Sequence, residues 1–437
     1  MIELDKQDTK MSKTTVNEDL YKLLKSRANN DGLPIMSKTM FLSTTEKYGK
    51  EIFRSTLAEY ITREKPPYPF KQFEEEEVVR IFRRLERAKF TDYIYIPTKE
   101  VAEKYDDYKY SYDKYGLGII DGPSVFNYCA DSFMNDLRLR CGSYGFKAPA
   151  TRWEEGDNIW GAFGPIWRGV NDAKELSTKT YVMAFRLGTY IATQFKPIVA
   201  KTIYEMCNAK TVLDTSMGWG DRLTGFYASN ATHYIGCDPN PNTFARYQTM
   251  IEFYDRIYDR SRGTKTVQIY NCGAEDLPWD EISNVDCAFT SPPYFSTERY
   301  NEGGEKEELQ SWAKFNEYDA WRDEFYLPVA QNSFNSLSEK GVMMVNILDP
   351  KVHGKRYRSG DELVDMLRPN FLGQIGMRIM QRPQGGSVFQ DEKGNFDKEA
   401  MQDFMAKIYI ENVWCFGKDT TVDLFKDIRV NTLEEFM

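Results

Sequence analysis

Histidine is scarce in this sequence: the chain of 437 residues contains two, His233 and His353. Histidine is the usual general base near neutral pH and the commonest metal ligand. With so few histidines, the chain is unsuited to activating a nucleophile through histidine or to binding a metal through several of them. We therefore predict no metal cofactor.

Paired cysteines are also missing. The seven cysteines, at positions 129, 141, 207, 237, 272, 287 and 415, include no Cys-x-x-Cys. Several fall in predicted strands, where a free cysteine behaves as a small buried hydrophobic residue. The pattern predicts a reducing compartment and no zinc site.

Long apolar runs are absent as well. No stretch approaches the ~18 apolar residues that a membrane span requires. Residues 1–6 lack the basic segment and apolar core of a signal peptide. We therefore expect an intracellular, soluble protein without a membrane partner.

Positive charge is outnumbered, and the net charge is −9. Since phosphate neutralisation supplies most nucleic-acid affinity, this balance works against a polyanionic substrate. One basic cluster, the residues Lys351, Lys355, Arg356 and Arg358, directly follows a predicted strand over 341–348. It is either a solvated loop or a surface that contacts phosphates and bases.

What the sequence does contain is a series of short apolar runs. They predict strands over 210–214, 232–238, 267–272, 285–290, 341–348, 376–381 and 408–416. Strand–turn–helix units in tandem form a parallel sheet that binds ligands at the carboxyl ends of its strands. The sequence therefore predicts an α/β fold with a mostly parallel sheet.

A glycine loop, residues 215–220, follows the first of these strands. Gly218 and Gly220 allow the backbone to approach a ligand closely. Asp238 ends the next strand, where a carboxylate accepts both hydroxyls of a ribose. Leu223 stands where a full Gly-x-Gly-x-x-Gly fingerprint has its third glycine, which argues against NAD and for another nucleotide-like ligand.

The Ser-Pro-Pro-Tyr turn, residues 291–294, ends the fourth strand. Ser291 Oγ and the Pro292 carbonyl are acceptors for the hydrogens of an amine. The two prolines fix φ near −65°, which sets the direction of that carbonyl. Tyr294 supplies a flat ring on which a base can stack. The alternative is a Pro-Pro turn that only ends a buried strand.

Residues 193–418 resemble the S-adenosylmethionine-dependent amino-methyltransferases of the DNA N4-cytosine/N6-adenine type. The resemblance implies a Rossmann-like class I methyltransferase sheet, mostly parallel with seven strands, preceded by a helical and irregular N-terminal region. It also implies that Ser291, Pro292, Pro293 and Tyr294 are the catalytic residues. Serine at the first position is commoner among N4-cytosine enzymes, so N4 of cytosine is favoured over N6 of adenine.

The same resemblance implies the cofactor-binding residues Lys196, Pro197, Asp214, Ser216, Gly218, Gly220, Asp238, Ala274 and Glu275, with S-adenosylmethionine as the cofactor. Related enzymes often have an acid facing the adenine where this chain has Gly273, so Glu275 or backbone amides must replace it. For substrate binding we predict Phe295 and the basic residues Lys351, Lys355, Arg356 and Arg358.

The implied reaction is direct transfer of a methyl group to an amine nitrogen, without a metal or a covalent intermediate. No cysteine follows a proline, so carbon-5 cytosine methylation has no candidate thiolate. The implied partner is double-stranded DNA, entered by base flipping, in the cytoplasm of a bacterial or phage-infected cell. Two alternatives stay open: another planar amine (an RNA base, a nucleotide or a protein amide), or a cofactor-binding subunit without catalysis.

Three regions are predicted along the chain. Residues 1–110 read as mostly helical, 111–190 as an irregular, aromatic-rich recognition or cap segment, and 191–437 as the methyltransferase domain. About 70 residues separate the glycine loop from the Ser-Pro-Pro-Tyr turn, too few for a recognition domain between them. Target recognition is therefore expected from the N-terminal half or from loops over 296–316, 351–360 and 382–396, the first of them mobile.

Overall fold

A computed structural model describes residues 16–95, 118–142, 147–189, 191–297, 299–304, 306–379, 397–399, 409–426 and 428. The chain divides into two compact units, Met1–Gln72 with Asn135–Thr193 and Phe73–Met134 with Gln194–Met437. The boundary predicted at 190/191 lies three residues before the observed one, where the chain passes from the first unit to the second after Thr193. The boundary predicted at 110/111 and the loop predicted over 382–396 lie outside the described residues.

The helices are α1 (Glu18–Ser26), α2 (Lys38–Tyr48), α3 (Lys50–Glu64), α4 (Glu75–Arg87), α5 (Tyr128–Arg140), α6 (Pro149–Glu155), α7 (Ile159–Ala162), α8 (Ile166–Ala173), α9 (Thr178–Gly188), α10 (Pro197–Met206), α11 (Asp221–Ala228), α12 (Pro241–Ile257), α13 (Ser311–Lys314), α14 (Tyr318–Ala320), α15 (Leu327–Asn335) and α16 (Ser359–Met366). A π-helical turn, Trp321–Tyr326, joins α14 to α15.

The strands are β1 (Met36–Ser37), β2 (Ile94–Tyr95), β3 (Gly118–Ile120), β4 (Glu175–Leu176), β5 (Thr211–Asp214), β6 (His233–Cys237), β7 (Thr266–Tyr270), β8 (Val285–Thr290), β9 (Leu337–Asn346), β10 (Lys351–Val352), β11 (Lys355–Arg356), β12 (Phe371–Ile379) and β13 (Tyr409–Gly417).

The larger unit is built on one sheet, in the order β2-β3-β12-β13-β9-β8-β5-β6-β7. Strands β7, β6, β5, β8 and β9 are parallel neighbours, and β13 is antiparallel to both β9 and β12. The predicted fold class, a Rossmann-like α/β fold with a mostly parallel sheet, is confirmed.

Among the described residues the sheet has nine strands, where seven were expected. The additional strands are β3, which pairs in parallel with β12, and β2, which pairs antiparallel with β3. With three and two residues, they are too short to show as apolar runs in the sequence. Two of the three residues of β3, Ile119 and Ile120, are nevertheless completely buried, so β3 extends the core.

Register brings the ends of the central strands to one edge. Val212 of β5 pairs with Cys287 of β8, and Asp214 pairs with Gly236 of β6. The central strands are apolar on both faces, as expected when helices cover both sides of a sheet. The glycine loop and the Ser-Pro-Pro-Tyr turn therefore leave the sheet side by side, at the edge where α/β folds bind ligands.

The smaller unit is helical and has its own aromatic core. Trp153 is 3% exposed, donates from Nε1 to the Pro66 carbonyl (2.7 Å) and contacts Phe185 edge-on, with ring centroids 5.0 Å apart. The irregular structure predicted for 111–190 is wrong for most of its described part, where α5 to α9 are helices. Trp153 and Trp167 are helix residues that belong to this core, whereas Trp160, also in a helix, is exposed.

Candidate active site

The carboxyl edge of β5 and β8 carries a pocket. Thr215 and Ser216 of the glycine loop line it together with Thr290 and Pro292 at the end of β8. Apolar residues of β8, β9, the π-helical turn and α15 complete its walls. Of the predicted site residues, Ser216 of the glycine loop and Pro292 of the Ser-Pro-Pro-Tyr turn line this pocket.

Asp214 is completely buried, and its carboxylate is already bound by protein groups. Arg222 Nε donates to Oδ2 (2.9 Å), the Tyr234 hydroxyl donates to Oδ2 (2.6 Å), and the Ser216 N–H donates to Oδ1 (3.1 Å). The Arg222 guanidinium also donates to the Ser216 carbonyl. Asp214 therefore holds the glycine loop in shape through Arg222, and its predicted contact with the cofactor remains a prediction.

Asp238 follows β6 and accepts four hydrogen bonds. The Asn240 N–H (2.9 Å) and the Thr243 hydroxyl (3.0 Å) donate to Oδ1. The Gly218 N–H (3.2 Å) and the Tyr247 hydroxyl (3.0 Å) donate to Oδ2. Burial raises the pKa of Asp238 to about 6, although these donors favour the ionised form. A ribose hydroxyl that binds here must share an oxygen with one of these donors.

Tyr247 of α12 is a site residue that sequence reasoning missed. Its hydroxyl contacts both Asp238 and the carbonyl of Gly218, so it ties the glycine loop to the end of β6. Gly218 and Gly220 have φ values of +57° and +76°, which only glycine adopts readily. Nothing in the sequence marks Tyr247, because a tyrosine in a helix is most often a core residue.

Glu275 follows β7, in the short 3-10 helix Ala274–Asp276. Its side chain is 13% exposed, and Oε2 is buried without a hydrogen-bond partner among the described residues. A Cβ built on Gly273 would lie 2.5 Å from that oxygen. Glycine at 273 therefore makes room for the Glu275 carboxylate, as expected if Glu275 replaces the missing acid. Ala274, beside it, is buried.

The Ser-Pro-Pro-Tyr turn is closed by its own backbone. The Phe295 N–H donates to the Pro293 carbonyl (2.9 Å), and the Thr297 N–H donates to the Tyr294 carbonyl (3.1 Å). Within the described part of the chain, the Pro292 carbonyl accepts no backbone N–H. Ser291 is partly exposed at the end of β8. The two predicted acceptors, Ser291 Oγ and the Pro292 carbonyl, thus take no part in the backbone hydrogen bonds that close the turn.

Tyr294 is 9% exposed, and its hydroxyl is anchored. It donates to Asn346 Oδ1 at the end of β9 (3.4 Å), and the carboxyl of Glu411 on β13 is a second acceptor within its reach. Asn346 and Glu411 were not predicted from the sequence. The signal available for Glu411 was a single acid near the start of a mostly apolar last strand.

Phe295, predicted to contact substrate, occupies a packed position. Its ring is 3% exposed and lies against Tyr318 and Tyr357, with centroid distances of 5.5 and 6.1 Å. Its φ of +51° is unusual for a bulky residue and marks local strain directly after the turn. A direct contact between Phe295 and substrate stays a prediction.

The segment 296–316 lies against the glycine loop. The rings of Trp219 and Tyr300 meet edge-on at 6.1 Å, and Trp312 Nε1 donates to the Tyr300 carbonyl (2.9 Å). Near its end, Lys314 Nζ donates to Glu275 Oε1 (2.6 Å). This segment therefore contacts both predicted sides of the cofactor site, the loop after β5 and the acid after β7.

The basic cluster is a hairpin, β10 and β11, joined by His353 and Gly354 with positive φ. Three basic residues of the cluster, Lys351, Lys355 and Arg356, lie in the hairpin, and Arg358 follows it directly before α16. All four are exposed. Tyr357 connects the hairpin to Phe295, next to the Ser-Pro-Pro-Tyr turn. The predicted position of these charges, beside the turn, agrees with the structure.

Lys196 and Pro197 lie at the start of α10, close to the other end of the glycine loop. Pro197 is the first helical residue, and Lys196 pairs with Asp121 (3.5 Å). The preceding Phe195 ring lies 5.4 Å from the Arg222 guanidinium. The segment thus borders the Asp214–Arg222 pair, while the Lys196 ammonium is directed to Asp121.

Several buried polar atoms in this region have no hydrogen-bond partner among the described residues. Besides Glu275 Oε2 they are Thr215 Oγ1, Thr290 Oγ1, Thr297 Oγ1, Gln310 Nε2 and Ser311 Oγ. Buried polar groups are normally satisfied, so each of these atoms marks a place where a ligand or water can complete the hydrogen bonding. Further such atoms lie elsewhere, for example Tyr68 Oη and Trp167 Nε1 in the smaller unit. In the same described ranges, no three His, Cys, Asp or Glu residues are grouped as metal ligands, and no helix is long and apolar enough to cross a bilayer.

No protein-family model and no curated protein matches this chain. Among solved structures it is similar to a methyltransferase from Geobacter sulfurreducens, with 9% identity, TM-score 0.29, and 52% of this chain and 80% of that one covered. It is also similar to an rRNA methylase from Streptococcus thermophilus, with 10% identity, TM-score 0.28, and 52% and 100% covered. At these values the similarities assign neither substrate nor cofactor.

Proposed function

We propose that this protein is an S-adenosylmethionine-dependent methyltransferase that methylates the exocyclic amine of a DNA base, with N4 of cytosine favoured over N6 of adenine. One observation carries the proposal: β5 and β8 are paired parallel neighbours, so the glycine loop and the Ser-Pro-Pro-Tyr turn leave the sheet side by side, and Ser216 and Pro292 line one pocket. A methyl donor at the loop and an amine at the turn would be adjacent.

The residues present fit the cofactor. Glu275 Oε2 is a buried acceptor without a partner among the described residues, as an adenine amine requires. Asp238 is the acceptor for the ribose, and Gly218 and Gly220 bring the loop backbone close. The remaining predicted contacts are Lys196, Pro197, Asp214, Ser216 and Ala274. S-adenosylmethionine supplies a methyl group activated by its positively charged sulfur.

The turn is suited to an amine whose lone pair is delocalised into a ring. Ser291 Oγ and the Pro292 carbonyl accept hydrogen bonds from the two N–H groups of the amine. These hydrogen bonds favour a tetrahedral nitrogen and localise its lone pair. Pro293 keeps the turn rigid. Tyr294 offers the ring for stacking. The rest of the rate enhancement would come from positioning, for which effective molarities are large.

Double-stranded DNA is the proposed partner. The exposed basic hairpin lies beside the turn and supplies cations for phosphates despite the net charge of −9. Flipping the target base out of the duplex would cost a few kcal/mol, which these contacts offset. Serine at the first position of the turn supports cytosine over adenine.

The decisive experiment is nucleoside mass spectrometry after incubating purified protein with S-adenosylmethionine labelled in its methyl group. DNA, RNA and free nucleotides are tested in parallel, with Ser291→Ala as the inactive variant and the exposed Ser261→Ala as its control. Labelled N4-methylcytosine from DNA supports the proposal. Label only in RNA or small amines replaces the substrate, and cofactor binding without any label indicates a non-catalytic subunit.

A further inference from the structure

Glu411 is a charged residue on a face of β13 whose next two residues are apolar. On the same face of β13, Val413 and Cys415 are almost completely buried. Val413 pairs with Asn346 of β9, and Glu411 lies two residues earlier. Because β13 is antiparallel to β9, those earlier residues lie at the edge where the Ser-Pro-Pro-Tyr turn leaves the sheet.

Three side chains meet at this edge. The Glu411 carboxyl lies within reach of the Tyr294 hydroxyl and the Asn346 amide, and both groups favour its ionised form. Asn346, 1% exposed, also accepts from Tyr294 (3.4 Å) and donates from Nδ2 to the Asn412 carbonyl (3.1 Å). The single proton of the Tyr294 hydroxyl therefore has two acceptors within reach, Glu411 and Asn346, and Asn346 is itself held by the backbone of β13.

The position is costly for an acid. Desolvation raises the pKa of Glu411, against the two hydrogen bonds that favour its ionised form. An apolar side chain would avoid that cost, as Val413 does two residues further on. Polar groups that lie next to a binding site despite a desolvation cost commonly have a role in that site.

We infer that Glu411, together with Asn346, is a positioning residue that fixes the ring of Tyr294 for stacking against the substrate base. The inference rests on the proposed function. The backbone of the turn holds one end of the ring, and Glu411 with Asn346 holds the hydroxyl end. Misplacement of a reacting group by about 1 Å can cost up to about a hundredfold in rate, so an anchored ring directly affects turnover.

The test is a double-mutant cycle with Glu411→Ala and Tyr294→Phe, measured as kcat and as KM for DNA. Glu411→Ala is expected to lower kcat about tenfold when Tyr294 is present and less than about twofold in the Tyr294→Phe background. Glu411→Gln retains an acceptor oxygen and should restore most of the loss. Glu339→Ala, an exposed glutamate of β9, is the matched control and should be unchanged.

An equal loss in both backgrounds, as from a purely structural residue, would overturn the inference, and so would full activity of Glu411→Ala. If the wild-type protein transfers no methyl group, the proposed function fails, and the anchor is tested alone by fluorine NMR of protein labelled with 3-fluorotyrosine. The Tyr294 resonance is assigned by its loss in Tyr294→Phe. A shift of that resonance in Glu411→Ala supports the anchor, and an unchanged resonance refutes it.

Discussion

Lys314 Nζ donates to Glu275 Oε1 at 2.6 Å, while Oε2 of the same carboxylate is buried without a partner in the described ranges. One oxygen is thus held by the 296–316 segment and the other is left for a ligand. The contact with Lys314 orients the Glu275 carboxylate and leaves it able to accept further hydrogen bonds, since a carboxylate has about four lone-pair sites. Lys314 also contacts Asp276 (3.2 Å), so the contact is part of a small charged network.

We expect Glu275 to recognise the adenine amine of the cofactor. Glu275→Gln should weaken S-adenosylmethionine binding about tenfold, since a charge-assisted hydrogen bond is replaced by a neutral one. Calorimetry with the 6-oxo purine analogue of the cofactor provides the sharper measurement. Wild-type protein should discriminate against the analogue, and Glu275→Gln should not. Equal discrimination by both proteins would remove Glu275 from the adenine site; the exposed Glu281→Gln serves as control.

The backbone conformation at Gly273 is compatible with alanine, but the space around it is not. Its φ is −66°, which any residue adopts, yet an added Cβ would meet the Glu275 carboxylate at 2.5 Å. Gly273→Ala is therefore expected to displace Glu275 and to weaken cofactor binding several-fold, with little change in the melting temperature. In a Glu275→Gln background, where the specific contact is already lost, the further effect should be small. Additive losses would contradict this account.

The main contribution of the Asp214–Arg222 pair should be to the stability of the fold rather than to cofactor binding. Both side chains are almost completely buried, so Arg222→Met leaves an unpaired buried carboxylate. We expect the free energy of unfolding to fall by about 3–5 kcal/mol, measured by urea denaturation. The matched control is Arg256→Met, which removes an exposed pair with Glu75 and should leave stability unchanged. A stable Arg222→Met protein that loses only cofactor affinity would restore Asp214 as a direct ligand.

Much of the sheet could be predicted because its strands are apolar runs that end in marked residues. Glycines follow β5, an acid follows β6 and two prolines follow β8, and each signal depends only on local sequence. The helices between 128 and 188 could not be predicted in the same way. Their glycines, prolines and tryptophans suggested irregular structure, whereas burial of residues such as Trp153 and Phe163 in a core stabilises helices.

The site was predicted where a motif exists and missed where contacts are distant in sequence. Tyr294 was predicted, but its partners Asn346 and Glu411 lie 52 and 117 residues away, on strands that sheet topology alone brings together. Asp238 was predicted from its place at a strand end, whereas its donor Tyr247 comes from the following helix. Such partners depend on packing, which a pattern of residue types does not specify.

Cofactor affinity should depend on pH through Asp238. Burial raises the pKa of Asp238 to about 6, and a protonated carboxyl accepts hydroxyl hydrogens poorly. Affinity should therefore be constant above that pH and fall as pH decreases through it, with the dissociation constant rising about tenfold between pH 7 and pH 5. Asp238→Asn should bind weakly with no such dependence over this range. A wild-type dissociation constant that does not change from pH 7 to 5 would exclude Asp238 as the ribose acceptor.

The basic hairpin should contribute phosphate contacts rather than base readout. Each of Lys355→Gln and Arg356→Gln is expected to weaken DNA binding equally for all sequences and to reduce the slope of log K against log salt by about 0.9. Both side chains are exposed beside the Ser-Pro-Pro-Tyr turn, where a duplex would have to lie. Fluorescence anisotropy at several salt concentrations provides the slope.

Lys340→Gln is the control for the hairpin variants. Lys340 is equally exposed but lies on β9 well before its carboxyl end, so its replacement should leave the slope unchanged. If Lys340→Gln reduces the slope as much as the hairpin variants do, the hairpin has no special role and only the net charge matters. If neither hairpin variant changes the slope, the duplex does not contact this surface, and DNA must approach the turn from another side.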